Sequence, residues 1–184
     1  MFARSVDQKN VIHFAPEPFL APSFQRNSSL NYLASDPHPT RYKWVRRLCL
    51  TLPDDLRVFQ DGYFDYILHN HMLEHLPGHW CDHLEEFKRL LAPSGQMIFS
   101  LPGPIMSQLT EEGGEHLSSD EERTAKFGQH DHFRQFGSDL ITCMQDSEGM
   151  QFEYDDVSDA ERERLNVGTG KDRLMIWTKV APKF

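Results

Sequence analysis

Cysteine is scarce in this chain. The three residues, Cys49, Cys81 and Cys143, are odd in number and far apart. No Cys-x-x-Cys pair exists, which leaves out both a disulfide framework and a zinc knuckle. The expectation is buried, reduced thiols in a cytoplasmic protein. Long apolar runs are missing as well, and none approaches the roughly 18 residues of a membrane span. The opening residues, MFARSVDQKN, lack the apolar core of a signal peptide. Basic charge is in deficit, with 19 Lys and Arg against 28 Asp and Glu, a net charge of -9 at pH 7. Nucleic acids and anionic membranes need a basic surface, so neither is expected as a partner. Internal repeats and low-complexity segments are absent. What is present, 39% hydrophobic and 26% charged residues over 184 positions, suits one globular domain, 1–184, with its own core.

The most structured stretch is DGYFDYILHNHMLEHLPGHWCDHLEEFKRLLAPSGQMIFSLP, residues 61–102. Asp61-Gly62 is a turn signal. Tyr63 to Leu68, broken only by Asp65, has the length of a buried strand. His69, Asn70, His71, Glu74 and His75 crowd its end. Leu84, Phe87, Leu90 and Leu91 recur at helical spacing. Pro93-Ser94-Gly95 should stop that helix, and Gln96 to Leu101 reads as the next strand. A strand-helix-strand unit with short turns makes the two strands parallel neighbours. Ligands of such sheets bind beyond the carboxyl ends of the strands, where Asn70 and His71 fall.

Around this unit the signals are shorter. Met1 to Asn10 reads as a frayed lead-in and Val11–Phe14 as a first strand. Phe19, Leu20 and Phe24 can form one face of a short helix entered at Pro18. Tyr32–Ser35 is a second strand ending at Asp36; Arg41–Leu48 suggests a helical piece and Leu48–Leu52 a weak third strand. After Pro102 periodicity is lost, and 103–137 reads as a long loop or lid insertion. Within it Ser119 can cap a short helix running to Phe127. A helix capped by Ser138 should turn Leu140, Ile141 and Met144 inward. Gln151–Tyr154 and Arg173–Val180 are the last strands, with Asp155–Asn166 either mobile or a surface helix.

FDYILHNHMLEHL followed by EEFKRLLAPSGQMIFSLP resembles the second half of a class I S-adenosylmethionine-dependent methyltransferase domain of the type 11 kind. The aspartate opening strand four, the L-E-H triplet and the P-x-G turn stand in the family's order. The resemblance implies an α/β, Rossmann-like three-layer sandwich. Its mostly parallel sheet would have about seven strands, the last antiparallel. It also implies an enzyme that transfers a methyl group from S-adenosylmethionine to a small-molecule acceptor.

Site residues follow from the same resemblance. Asp36 lies about 20 residues past the first turn, where an acid accepts hydrogen bonds from ribose. The first turn departs from the family. Its usual G-x-G-x-G is replaced by Ala15, Glu17 and Phe19 within HFAPEPF, as in a branch with an A-P-E turn. Phe14, Ala15, Pro16 and Glu17 would border the methionine end of the cofactor, and Leu50, Thr51 and Leu52 its adenine. Asn70 and His71 would complete that site. Two readings of the turn stay open: Glu17 reaches the cofactor with its charge, or cofactor binding is lost. In the second case the chain is a non-catalytic binding or partner module of the same fold. A nicotinamide-dependent reductase is disfavoured, since G-x-G-x-x-G is missing.

On the acceptor side, a general base is needed only for a protonated acceptor, and histidine suits that role near neutral pH. His71 and His132 are the candidates, though His132 could instead anchor its loop by hydrogen bonding to backbone. FGQHDHFRQFG, Phe127 to Gly137, also resembles a family segment that would bring Gln129, His130 and Arg134 to the substrate. Arg134 can clamp a carboxylate or phosphate, or pair with a nearby aspartate. His75 reads as a structural hydrogen-bonding residue. His79 and His83, four apart, could pair on a helix as metal ligands do. No third ligand is spaced to join them, so they are expected to face solvent and no metal is expected.

Overall fold

The computed structural model describes residues 7–38, 47–102, 107–154, 158–164 and 174–181. Most of the suggested helix at 41–48 and the turn at 168–170 lie outside them. Seven strands form one sheet: β1 (Lys9–Phe14), β2 (Leu30–Ser35), β3 (Arg47–Leu48), β4 (Phe64–Asn70), β5 (Leu91–Ser100), β6 (Met150–Tyr154) and β7 (Met175–Lys179). Their order is β3-β2-β1-β4-β5-β7-β6. β1 to β5 run parallel, and β7 is antiparallel to both β5 and β6. The expected mostly parallel sheet with an antiparallel last strand is therefore present.

Adjacent residues of a strand face opposite sides. On β1, His13 meets Phe24 of α1 (Ala21–Arg26), while Phe14 meets Phe87 of α2 (Trp80–Leu90). The two helices therefore cover opposite faces. α4 (Ser138–Asp146) joins α2's face, where Trp177 of β7 donates from Nε1 to the Met144 carbonyl at 3.0 Å. Phe87, Leu90, Phe99, Leu140, Met144 and Trp177 belong to one core that fills this side. Burying such side chains contributes roughly 1.5–3 kcal/mol each.

Several local expectations change. Lys9 and Asn10 belong to β1, because Asp65 at the head of β4 accepts from the Asn10 N–H at 2.9 Å and from Lys9 Nζ at 3.2 Å. Phe19 is 74% exposed, so it forms no inner helix face. α2 ends at Leu90, and Pro93-Ser94-Gly95 sits inside β5 as a bulge. There Phe64 pairs with Leu91 and Tyr66 with Gln96. A Cβ on Gly95 would meet the carbonyls of Ala92 and Phe64 at 2.9 Å each, so the tight bulge needs glycine. Gly137, not Ser138, occupies the cap position of α4. Cys49 and Cys143 are exposed and Cys81 half-buried, rather than all buried. Asp159–Arg164 is the short helix α5.

The segment after β5 is structured where described. It holds a 3₁₀ turn at Gly114–His116, helix α3 (Asp120–Phe127) and a bridge between Glu111 and Gln135. Ser119 caps α3 as expected, accepting from the Glu122 N–H at 3.2 Å.

Candidate functional site

The strand order reverses between β1 and β4, and ligands of open α/β sheets bind at that switch point. A cleft of about 750 Å³ opens there, within the size range of small-molecule sites. The strand ends supply Phe14, Ala15, Ser35, Asp36, Asn70 and His71, the segment after β3 supplies Leu50, Thr51 and Leu52, and the long connection supplies Gln129, Asp131 and Phe133. Ala15 and His71 hold φ of 45° and 47°. Left-handed backbone is strained for such residues and gathers at functional sites. Ala15 thus keeps a glycine-like turn while carrying a methyl group.

Glu17 is the centre of a buried chain of hydrogen bonds. Its Oε1 accepts from Asn70 Nδ2 at 2.6 Å, and its Oε2 lies 2.6 Å from His13 Nε2. Ser100 Oγ donates to Asn70 Oδ1 at 2.8 Å, and the Tyr32 hydroxyl lies 2.9 Å from His13 Nδ1. Burial alone would raise the Glu17 pKa, yet the bonds from His13 and Asn70 hold it below the usual value. Burial and the Glu17 charge push the Tyr32 hydroxyl well up, so it stays a donor. Glu17 is therefore a fixed negative charge in the cleft wall, and Asn70 is spent on holding it. Asp36, 3% exposed at the end of β2, accepts from the His38 N–H at 2.8 Å and also lines the cleft.

The other candidates divide. Pro16 is buried and does not line the cleft. His71 lines it and has a 44% exposed side chain. Gln129 lines it, its Nε2 donating to Asp131 Oδ1 at 2.7 Å. His130 is a surface residue, 62% exposed and outside the lining. His132 is buried behind the wall, with Nδ1 3.1 Å from the Phe127 carbonyl and its ring against His75. Arg134 is corrected most clearly. Its guanidinium is 2% exposed and donates to the carbonyls of Leu73, Leu76 and Gly78 and to Glu112. It staples the long connection to the 3₁₀ turn Leu73–His75 and offers nothing to a substrate in the cleft.

His83 is also corrected. It is 1% exposed and donates from Nε2 to the Pro77 carbonyl at 2.7 Å, while His79 caps α2 by accepting from the Cys81 N–H at 3.3 Å. Reading the sequence missed Met72, His75, Leu76 and Phe133 as cleft residues. The signal available was the run M-L-E-H-L directly after His71, whose apolar members looked like ordinary core. Glu74 in that run is 1% exposed, and burial pushes its carboxyl up to about 7.

Comparison with known proteins agrees with this geometry. A family model described as a methyltransferase domain matches residues 15–147, more than half of the chain. No curated protein matches. Among solved structures, a SAM-dependent methyltransferase from Archaeoglobus fulgidus superposes with a TM-score of 0.60 at 12% identity, covering 94% of this chain and 86% of that one. The Burkholderia thailandensis 1,6-didemethyltoxoflavin-N1-methyltransferase, with bound 1,6-didemethyltoxoflavin and S-adenosylhomocysteine, gives 0.58 at 14%, covering 94% and 72%. A chain from the complex of the Haloferax volcanii Trm112 methyltransferase activator with a methyltransferase gives 0.59 at 13%, covering 95% and 84%. Identities this low show the fold alone. The match over 15–147 carries the family: the chain belongs to the methyltransferase-domain family.

Proposed function

We propose that this protein is a cytoplasmic enzyme that transfers a methyl group from S-adenosylmethionine to a small-molecule acceptor. The observation that carries the reading is the switch-point cleft with Asp36 and Glu17 at its rim. The residues fit the cofactor. Asp36 ends β2, where an acid accepts from ribose hydroxyls. Leu50 and Leu52 give an apolar wall for adenine. Glu17 is a fixed charge opposite to the cofactor's net positive one. The cofactor supplies a methyl group activated on a sulfonium, open to in-line displacement.

What the chain contributes is positioning and the exclusion of water. Met72, Leu76 and Phe133 form the apolar part of the acceptor side, with Gln129 and Asp131 as its polar contacts. His71 is the cleft histidine that can take a proton from an acceptor hydroxyl or ammonium. The 107–137 segment is the roof, held down by Arg134. Removal of the cofactor-binding role would leave a partner module, a reading favoured only by the side chains of Ala15 and Glu17 at the turn.

Calorimetric titration with S-adenosylmethionine and S-adenosylhomocysteine tests the proposal. Binding in the micromolar range is expected, weakened in Asp36→Ala by about 1–3 kcal/mol. Absence of binding at millimolar ligand would leave the partner module standing.

A further inference from the structure

At the cleft wall three groups meet whose arrangement methyl transfer alone does not require: His75 lines the cleft, and Glu74 and His132 are buried behind it. Glu74 and His75 are consecutive on the 3₁₀ turn after β4, and His132 comes from the loop after α3. One ligand atom of each lies within 4.8 Å of the other two. Glu74 is 1% exposed, yet neither carboxylate oxygen has a hydrogen-bond partner among the described residues. A buried carboxylate without donors is costly, and such groups call for a partner. Two imidazole nitrogens stand near its Oε1 at more than hydrogen-bonding distance: His75 Nε2 at 3.9 Å and His71 Nδ1 at 3.8 Å.

The two histidines are set in one tautomer. His75 Nδ1 lies 3.2 Å from the Asp131 carbonyl and 3.3 Å from its carboxylate. His132 Nδ1 lies 3.1 Å from the Phe127 carbonyl. A carbonyl oxygen only accepts, so each Nδ1 carries the proton and each neutral ring keeps its lone pair on Nε2. In His75, Nε2 is the nitrogen turned to Glu74. Histidines that ligate metals are oriented in this way, by a carboxylate or carbonyl on the other nitrogen. The turn and the loop are also tied by backbone, the Phe133 N–H donating to the Glu74 carbonyl at 2.8 Å.

We propose that Glu74, His75 and His132 bind a divalent cation of the zinc class at the acceptor end of the cleft. Two imidazoles and one carboxylate are the donor set of open zinc sites, which keep a position for an exogenous ligand. Bonds of about 2.0–2.1 Å at tetrahedral angles place ligand atoms roughly 3.4 Å apart. The 3.9 Å between Glu74 and His75, and separations of up to 4.8 Å within the trio, would have to close to that on binding. His71 Nδ1 lies 3.8 Å from Glu74 Oε1, and His71 and His75 both line the cleft, so the open position would face it. There the cation would hold and polarise a hydroxyl of the acceptor; this last step rests on the methyl-transfer reading.

The test is zinc chloride alone, titrated by calorimetry into full-length protein stripped with chelator. One equivalent is expected to bind. Glu74→Gln and His132→Gln are each expected to weaken it by about 10–100-fold or more, while His79→Gln, outside the trio, keeps wild-type affinity. If either buried variant fails to fold, cobalt replaces zinc in the wild type. A visible d–d spectrum of a four- or five-coordinate nitrogen and oxygen site, displaced by zinc, supports the proposal. No uptake, uptake unchanged in folded Glu74→Gln, or a six-coordinate aquo-like cobalt spectrum overturns it. The titration contains no cofactor. Zinc uptake without S-adenosylhomocysteine binding would therefore remove methyl transfer and leave this site, and the reverse would remove this site alone.

Discussion

His69 shows at the residue scale how burial alone makes a pH dependence. It is fully buried on β4, between the rings of Phe87 and Phe99, and neither ring nitrogen has a hydrogen-bond partner among the described residues. Burial pushes its pKa down to about 3. In the unfolded chain it titrates near its ordinary value of about 6.5. Below that pH the unfolded state binds a proton that the folded state refuses. Stability from this group is thus complete above about pH 6.5 and declines as pH falls toward 3, by up to about 1.4 kcal/mol per pH unit. His69→Leu has similar volume and no proton to bind. Urea unfolding between about pH 4 and pH 7 should show a shallower acid loss in the variant than in the wild type. Parallel curves would mean that the ring is hydrated in the folded protein.

Arg134 belongs to the scale of elements, because it joins two of them. Its donors satisfy three carbonyls at the end of the 3₁₀ turn, from residues 56 to 61 positions earlier in the chain. Arg134→Ala leaves those carbonyls and Glu112 without their donor. A loss on the order of 3 kcal/mol is expected, together with faster proteolysis within 107–137. Arg134→Lys should recover only part of it, since a point charge cannot fork to several carbonyls. Unaltered stability and cleavage would show that the segment is held by its other contacts. The same residue marks what reading a sequence can do. The strand-helix-strand unit of 61–102 was legible because its apolar spacing is local, although Pro93-Ser94-Gly95 lies within β5 and does not end the helix. The cleft's strand-end residues, Asp36, Asn70 and His71, were legible because a parallel sheet dictates where its ligands go. The fate of Arg134 and His83 was not, since charged and polar side chains are buried only when carbonyls from elsewhere in the chain arrive to meet them. Phe19 failed for the opposite reason: an apolar residue at a turn has no local rule that puts it inside.

At the scale of the whole molecule the net charge of -9 becomes an argument about the ligand. Glu17 and Asp36 line the cleft, and Glu17 is held ionised by His13 and Asn70. S-adenosylmethionine carries a net positive charge, and S-adenosylhomocysteine, having lost the sulfonium, is neutral overall. An acidic protein with acids in a partly enclosed cleft attracts the first more than the second, and salt screens that difference. Raising salt from about 0.02 M to about 0.5 M shortens the screening length from roughly 20 Å to 4 Å. Affinity for S-adenosylmethionine should therefore fall more steeply with salt than affinity for S-adenosylhomocysteine. Glu17→Gln should flatten the steeper of the two lines toward the other, because it removes a charge from the cleft wall. Calorimetry at four or five salt concentrations reads both slopes. Equal slopes in the wild type would show that the two acids are neutralised by their own partners, and Glu17 would then serve the turn and not the ligand.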